Sequence, residues 1–276
     1  MYPVMKKKIK DISRLKEIAK KTRLNIISML ARAGSGHPGG SLSAVEIIVA
    51  LYYSYMNHDP ENPKWDKRDR LVLSKGHSAP ALYSVLCDLG YFERWHLEEL
   101  RRLGSILQGH PDMHLTPGID LSSGSLGQGL SVACGMAAAA KIDKKKHRVY
   151  CILGDGEVQE GQIWEAAMSA SHYKLDNLCA ILDKNELQID GPVKKIMNID
   201  DISEKFRSFG WHTEEIDGHD FPHILKALDK ASKTKGKPYL ITAHTVKGKG
   251  VSFMEHKIEF HGTSPTPQKQ TMPWVN

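Results

Sequence analysis

The sequence predicts an α/β fold in which a parallel sheet is covered by helices on both faces. Residues 148–153 (RVYCIL) and 178–182 (LCAIL) are almost continuously apolar and have the length of strands. Segments with a helical spacing of apolar residues alternate with such strands along the chain. Apolar strands that alternate with helices are typical of parallel sheets whose two faces are both buried.

The helices are predicted from apolar spacing and from the residues that begin and end them. The first spans residues 12–33 and ends at Gly34, since glycine readily adopts the left-handed conformation of a helix C-terminus. The second spans residues 43–56, with Ser43 as N-cap and Glu46 three residues later. Further helices are expected at residues 126–140, 162–172, 202–209 and 221–232.

The strands are predicted from short apolar segments bounded by turn residues. They are expected at residues 70–74, 148–153, 178–182, 211–216 and 238–243. The chain from about residue 247 onwards is rich in Gly, Pro, Lys and His and predicts an irregular tail. We interpret residues 1–276 as a single domain.

The positive charge of the chain is interpreted as solvated surface charge. The net charge is +6, and basic residues are concentrated at 6–10, 144–148 and 233–249. None of these runs has the interleaved aromatic residues of a nucleic-acid platform, so we expect no nucleic-acid partner.

Cysteine usage and hydropathy indicate a cytoplasmic protein. The four cysteines form no CxxC pair, which argues against a disulfide framework or a zinc site. No apolar region follows the basic N-terminus as in a signal peptide. No apolar run approaches the ~20 residues that span a bilayer, so no membrane association is expected.

Polar residues follow two consecutive buried strands. Residues 148–153 lead directly into Gly154-Asp155-Gly156, and residues 178–182 are followed by Asp183, Lys184 and Asn185. The carboxyl ends of neighbouring parallel strands meet at one sheet edge, where α/β proteins bind ligands. Carboxylate and amide oxygens suit Mg²⁺ or Ca²⁺, with phosphate oxygens completing the shell. A simple turn at Gly154–Gly156 is the alternative.

His37, His77, His110 and His261 each adjoin a glycine in segments outside the predicted helices and strands. We predict that these four point into a cleft, and we interpret the other ten as structural or surface residues. A metal cluster is the competing hypothesis, but the four lack local ligand spacing such as HxxxH.

These motifs together resemble the N-terminal domain of the transketolases. The matching segments share the order they have in that family: SGHPGGSLS, SKGHSAPALY, GHPD, SSGSLGQGLS, GDGEVQEG, NELQIDG and, in the tail, FHGTSP. The resemblance runs from about Leu15 to Pro265. It implies the thiamine diphosphate-binding fold and a ketol transfer between sugar phosphates in pentose phosphate metabolism.

The resemblance also implies the site residues. Mg²⁺, with Ca²⁺ as an acceptable substitute, would be held by the side chains of Asp155 and Asn185 and by the backbone carbonyl of Leu187. Cofactor contacts are implied at His77, Gly124, Ser125, Leu126, Gly154, Asp155, Gly156, Glu160, Asn185 and His261. The implied catalytic histidines are His37, His77, His110 and His261, and histidines that titrate near neutrality suit proton movement on sugar oxygens.

The sequence departs from the family in two respects. Ser125 stands where many members have proline, and the chain is less than half the length of full transketolases. We therefore expect a second chain to supply the pyrimidine-binding and C-terminal domains, with the glutamate that acts on the cofactor and the arginines that bind substrate phosphate. A heterotetramer of two such chains and two partners follows from the family's architecture. Helix 126–140, rich in Gly and Ala, would pack at that interface or in the core.

Two other functions stay open at this stage. One is a related thiamine enzyme: a 2-oxoacid dehydrogenase chain, a deoxyxylulose phosphate synthase, or a ketolase that uses dihydroxyacetone or another sugar. The other is a non-catalytic thiamine-binding module, against which the intact Asp155, Asn185 and four histidines argue.

Overall fold

A parallel sheet forms the centre of the computed structural model, which describes residues 8–266. The strands are β1 (Arg70–Leu73), β2 (Val149–Gly154), β3 (Leu178–Lys184), β4 (Leu187–Gln188), β5 (Gly191–Pro192), β6 (His212–Asp217) and β7 (Tyr239–His244). Five of them form one sheet in the order β1-β2-β3-β7-β6, with every neighbouring pair parallel, whereas β4 and β5 form a small antiparallel hairpin. The predicted fold class is confirmed, and each predicted strand lies within two residues of its observed bounds.

Helices flank the sheet on both faces. They are α1 (Ile12–Ala33), α2 (Pro38–Ser43), α3 (Val45–Ala50), α4 (Ala79–Leu89), α5 (Gln128–Ile142), α6 (Gly161–His172), α7 (Val193–Ile196), α8 (Ile202–Ser208) and α9 (Phe221–Lys233), with a π-helical turn at Leu51–Tyr55 after α3. The predicted bounds of α1 are confirmed. Gly34 ends this helix with φ 65°, and its N–H donates to the Leu30 carbonyl at 3.0 Å.

The two faces of the sheet bury separate apolar cores. Tyr150 and Ile152 of β2 face the core formed with α1, α3, α4 and α9. Their neighbours on the same strand, Val149, Cys151 and Leu153, face the core formed with α5, α6 and α8. Successive side chains of a strand point to opposite faces, so β2 has to be apolar along its whole length.

The prediction of one helix over residues 43–56 was wrong in its start. Ser43 is the last residue of α2, and a separate helix begins at Val45. The Ser43 hydroxyl donates to Asp183 Oδ2 at 2.6 Å, and the Glu46 carboxylate pairs with Arg23. Both side chains are committed to distant partners, so they do not form a capping box.

Several regions of regular structure were not predicted: helices α2, α4 and α7 and the β4–β5 hairpin. Helix α4 follows the SKGH motif, and a proline at its beginning was the sequence signal for it. The β4–β5 hairpin is too short for a periodic pattern to indicate it.

The cysteines lie mostly in the interior. All four are free, and Cys134, Cys151 and Cys179 are buried. Within residues 8–266, none of the helices has the length and apolarity to cross a bilayer. The basic run at 6–10 and the tail lie partly outside the described residues, and the single-domain interpretation stays a prediction.

Candidate cofactor and substrate site

A cleft of about 210 Å³ opens where β2 and β3 end. These two strands are hydrogen-bonded neighbours, with Gly154 opposite Asp183, so the residues that follow them share one sheet edge. Nine residues predicted from the sequence line this cleft: His77, Leu126, Gly154, Asp155, Gly156, Glu160, Asn185, Leu187 and His261.

The buried carboxylate of Glu157 anchors the Gly154-Asp155-Gly156 turn through hydrogen bonds. This carboxylate accepts from the backbone N–H of Gly154 at 3.0 Å and of Gly127 at 3.0 Å, and also from the Ser74 hydroxyl. A buried carboxylate needs such donors, because an unpaired charge in the interior is costly. Glu157 therefore joins the turn after β2 to the beginning of α5.

A backbone hydrogen bond links Asp155 to the segment that carries Asn185. Asp155 accepts from the N–H of Glu186, the residue after Asn185, and Asn185 Oδ1 accepts from the Leu187 N–H at 3.2 Å. Burial, together with the nearby Asp183 carboxylate, raises the pKa of Asp155 to about 6. A positive charge beside this side chain would stabilise its ionised form.

Two buried lysines line the cleft, and no local sequence pattern indicates them. Lys75 is 1% exposed and forms an ion pair with Asp183, and Lys247 is 2% exposed. Lys247 Nζ donates to the Leu187 carbonyl at 2.9 Å and lies 2.8 Å from His261 Nδ1. Burial and the positive charge of Lys75 lower the pKa of Lys247 to about 8. The interpretation of residues 233–249 as solvated surface charge is therefore wrong for Lys247.

The four predicted histidines lie close together, and two of them, His77 and His261, line the cleft. Ring centroids are 5.3 Å apart for His37 and His77, 5.7 Å for His37 and His261, 5.4 Å for His77 and His261, and 6.1 Å for His37 and His110. The buried Nδ1 of His37 makes no hydrogen bond within residues 8–266. An unpaired buried nitrogen in a cleft is a group that a ligand can satisfy.

The environment keeps these histidines neutral. Burial, then the charges of His110, Arg101 and Lys247, lower the pKa of His37 to about 4. Burial and Lys247 lower the pKa of His261 to about 3, and burial also lowers the pKa of His77 and His110. The expectation of titration near neutrality was wrong, because the cleft is partly desolvated and already contains cations.

The loop at residues 123–127 closes the cleft beside His110. Gly124 has φ 146°, and a Cβ on it would lie 3.1 Å from the His110 ring. Gly127 has φ 87°, and a Cβ there would lie 2.7 Å from Glu160 Cβ. The loop thus brings Gly124 next to His110, while Ser125 and Leu126 are exposed.

Helix α5 buries only one side. Gly129, Leu130, Ala133, Cys134, Ala137 and Ala140 are buried. Gly135 and Ala139 are exposed. The alternative that this helix packs in the core is confirmed for the buried side, whereas a role at an interface stays a prediction.

The donor set at the cleft mixes side-chain and backbone oxygens. Within the described part of the chain, no three His, Cys, Asp or Glu side chains converge to hold a metal ion. Asp155, Asn185 and the Leu187 carbonyl instead offer hard oxygen donors on one rim of the cleft. Such a site suits Mg²⁺ shared with a phosphate, because Mg²⁺ is usually bound by few protein ligands and substrate phosphates.

Known proteins resemble this chain over almost its whole length. The family model described as "Transketolase, thiamine diphosphate binding domain" matches residues 14–270. The 6-deoxy-6-sulfo-D-fructose transketolase subunit SqwG of Clostridium sp. (strain MSTE9) is 47% identical over 258 residues, which are 94% of this chain and 93% of that protein. One of the subunits of the apulose-4-phosphate transketolase of Phocaeicola vulgatus is 43% identical, over 91% of this chain and 89% of that protein.

Longer proteins match only in part. Human transketolase is 43% identical over 92% of this chain, which corresponds to 40% of the human protein. The crystal structure of transketolase from Campylobacter jejuni superposes with a TM-score of 0.88 at 38% identity and covers 92% of this chain. The chain corresponds to 41% of the length of that solved structure.

Proposed function

The chain belongs to the transketolase family, within its thiamine diphosphate-binding part, and we propose that it is the cofactor-binding subunit of a two-chain transketolase. The observation that carries this proposal is one cleft whose hard oxygen donors and two buried lysines lie beside a cluster of four neutral histidines. Its similarity to relatives that are named as transketolase subunits, over about nine-tenths of their length, supports the division into two chains.

The cleft fits a Mg²⁺-bound diphosphate. Asp155, Asn185 and the Leu187 carbonyl would hold the metal, with Ca²⁺ as an acceptable substitute. The ammonium groups of Lys75 and Lys247 would neutralise the diphosphate, while Gly154 and Gly156 allow its close approach. When bound, thiamine diphosphate supplies the electron sink that stabilises a carbanion during cleavage of a carbon–carbon bond.

The remaining cofactor contacts surround this centre. Leu126 and Glu160 line the same cleft, and Gly124 and Ser125 belong to the loop that closes it. His77 and His261 contact each other and lie next to Lys247, so we assign them to the diphosphate and the reacting centre.

His37 and His110 would bind the sugar. As neutral rings they donate a hydrogen bond from one nitrogen and accept at the other, so each can orient a hydroxyl and carry its proton. The unpaired Nδ1 of His37 is available for such a contact. The partner would supply the glutamate and the substrate-binding arginines, in a heterotetramer of two copies of each chain.

The sugar is the part of the proposal with a specific alternative. Two of the similar proteins are called transketolases for 6-deoxy-6-sulfo-D-fructose and for apulose 4-phosphate. In the first candidate function the donor is xylulose 5-phosphate. Ketol transfer from another sugar donor is therefore the second candidate function. A cytoplasmic location completes the proposal and is supported by the four free thiols.

The test is ketol transfer to ribose 5-phosphate with thiamine diphosphate and Mg²⁺ present. The chain is assayed alone and then with the chain encoded beside it, using xylulose 5-phosphate, 6-deoxy-6-sulfofructose and dihydroxyacetone as donors. Activity only with both chains supports the proposal, and the preferred donor decides between the two candidate functions. Full activity of this chain alone would contradict the division of the active site.

A further inference from the structure

One guanidinium lies between the loops that carry His37 and His110. Each histidine follows a glycine, and both glycines face the side chain of Arg101. A Cβ on Gly109 would lie 3.0 Å from Arg101 Cζ, and a Cβ on Gly36 would lie 3.5 Å from Arg101 Nη1. A Cβ at Gly109 would press on the guanidinium, whereas one at Gly36 would only touch it at ordinary contact distance, so Gly109 is the residue that leaves room for Arg101.

The backbone of Arg101 is held in an unusual conformation. Its φ is 65°, in the left-handed region that non-glycine residues seldom adopt, and its N–H donates to the Leu107 carbonyl at 2.8 Å. Such conformations persist where the surrounding structure determines them, and they cluster at functional sites. The backbone thus directs this side chain towards the histidine loops.

Among the described residues, the guanidinium of Arg101 has no partner of opposite charge. Within residues 8–266, the Arg101 side chain forms neither a hydrogen bond nor an ion pair, although the residue is exposed. By contrast, Arg23 pairs with Glu46, Arg32 with Glu98 and Arg68 with Asp120. Arg101 also lies close enough to His37 and His110 to lower the pKa of both rings. An unpaired cation beside the proposed sugar-binding residues favours an anionic ligand there.

We propose that Arg101 binds the anionic end group of the sugar substrate, a phosphate or a sulfonate. The proposal rests on the function assigned to His37 and His110 above. It adds one residue of this chain to the arginines expected on the partner, so that both chains contribute to the choice of anionic substrates. A guanidinium suits both groups, because its planar fork donates two parallel hydrogen bonds to an oxyanion.

The test compares Arg101→Gln and Arg101→Lys with the wild type and with Arg102→Gln in the two-chain complex. Arg102 is also exposed, so its replacement removes the same charge one residue away. Donors with a terminal phosphate, a terminal sulfonate and no charge are compared at constant acceptor concentration. We expect Arg101→Gln to raise the KM for both anionic donors by ~10-fold or more, as for a lost hydrogen bond to a charged group. The kcat and the values for the neutral donor should stay close to wild type.

Arg101→Lys, which keeps the charge without the fork, should fall between the wild type and Arg101→Gln. An effect on only one anionic donor would identify which end group the site accepts. Equal losses for neutral and anionic donors would show that Arg101 only supports the loops, and equal effects of the two glutamine variants would show a general charge effect. Either result would overturn the proposal.

A second measurement separates this proposal from the proposed function. The free chain, with labelled histidine rings, is titrated with inorganic phosphate and with methanesulfonate and observed by NMR. The signals of His37 and His110 should shift in wild type and Arg102→Gln but not in Arg101→Gln, whether or not the complex transfers a ketol group. Shifts that persist in Arg101→Gln, or no shifts in wild type, would sink the proposal, while inactivity of the complex with every donor would count against the proposed function alone.

Discussion

Two glycines of α5 should respond in opposite ways to replacement by alanine. Gly129 faces the end of β1, where a Cβ would lie 2.3 Å from Ser74 Oγ and 2.8 Å from Ser74 Cα. Gly135 is exposed on the same helix, and no atom lies within 4 Å of a Cβ built there. The pair separates the effect of space from that of helix propensity, because both positions gain the same methyl group.

The expected magnitudes follow from these contacts. Overpacking against a backbone atom costs about 1–3 kcal/mol. Displacing Ser74 also disturbs its hydrogen bond to the Glu157 carboxylate, and such a bond contributes about 1.5–3 kcal/mol. Replacing glycine by alanine inside a helix stabilises the protein by only about 0.5–1 kcal/mol. We therefore expect Gly129→Ala to lose about 1–4 kcal/mol of unfolding free energy, and Gly135→Ala to gain about 0.5–1 kcal/mol.

The assay is urea unfolding of the chain followed by far-UV circular dichroism, with the slope and the midpoint compared across the three proteins. A midpoint for Gly129→Ala at or above that of Gly135→Ala would refute the close approach of α5 to Ser74. Because Ser74 and Glu157 support the turn that carries Asp155, Gly129→Ala should also weaken cofactor binding by the complex.

Three further predictions concern the cleft itself. Asp155→Ala should weaken binding of thiamine diphosphate with Mg²⁺, measured by calorimetry on the two-chain complex. The loss should exceed the roughly 10–100-fold that is typical when a residue hydrogen-bonded to a metal ligand is replaced. Unchanged affinity would show that Asp155 is not a metal ligand. Lys247→Met, which keeps much of the side-chain volume, should weaken the same binding by ~10-fold or more through loss of a charged donor, and equal affinity in wild type and variant would contradict the assignment. His37 should become half-protonated only near pH 4 in the folded chain. Its folded pKa lies below the ordinary 6.5, so the stability that the neutral ring contributes should be fully present above pH 6.5 and decline as the pH falls towards 4. A midpoint near pH 6.5 in an NMR titration of the His37 ring would contradict the desolvation argument. In urea unfolding, His37→Asn should lose less stability on acidification than the wild type.

The predictions that succeeded depended on local patterns. Apolar strands followed by polar residues identify β2 and β3 and place Asp155 and Asn185 at one edge, because parallel neighbours end together. Glycine neighbours and the family motifs together indicated the four histidines, and the other three rings lie 5.3–6.1 Å from His37. The assigned ligand roles remain predictions for the experiments above.

What could not be predicted depends on contacts between distant segments. Nothing near Lys247 in the sequence indicates that Leu187, 60 positions away, accepts a hydrogen bond from its amine. In the same way, Ser43 was interpreted as a helix cap because its partner, Asp183, lies 140 positions away. Local propensity describes what a side chain can do nearby, and tertiary packing decides which partner it takes.

The ammonium of Lys247 donates a hydrogen bond to the Leu187 carbonyl, which is also a proposed ligand of the metal. This affects the order in which the metal and the cofactor bind. A lone divalent cation that approaches the free chain meets a positive charge already hydrogen-bonded to Leu187. A diphosphate would draw that ammonium away by offering it stronger acceptors, and would bring oxygens for the metal at the same time. The free chain should therefore bind Mg²⁺ only weakly in the absence of thiamine diphosphate and take up the ion mainly together with the cofactor.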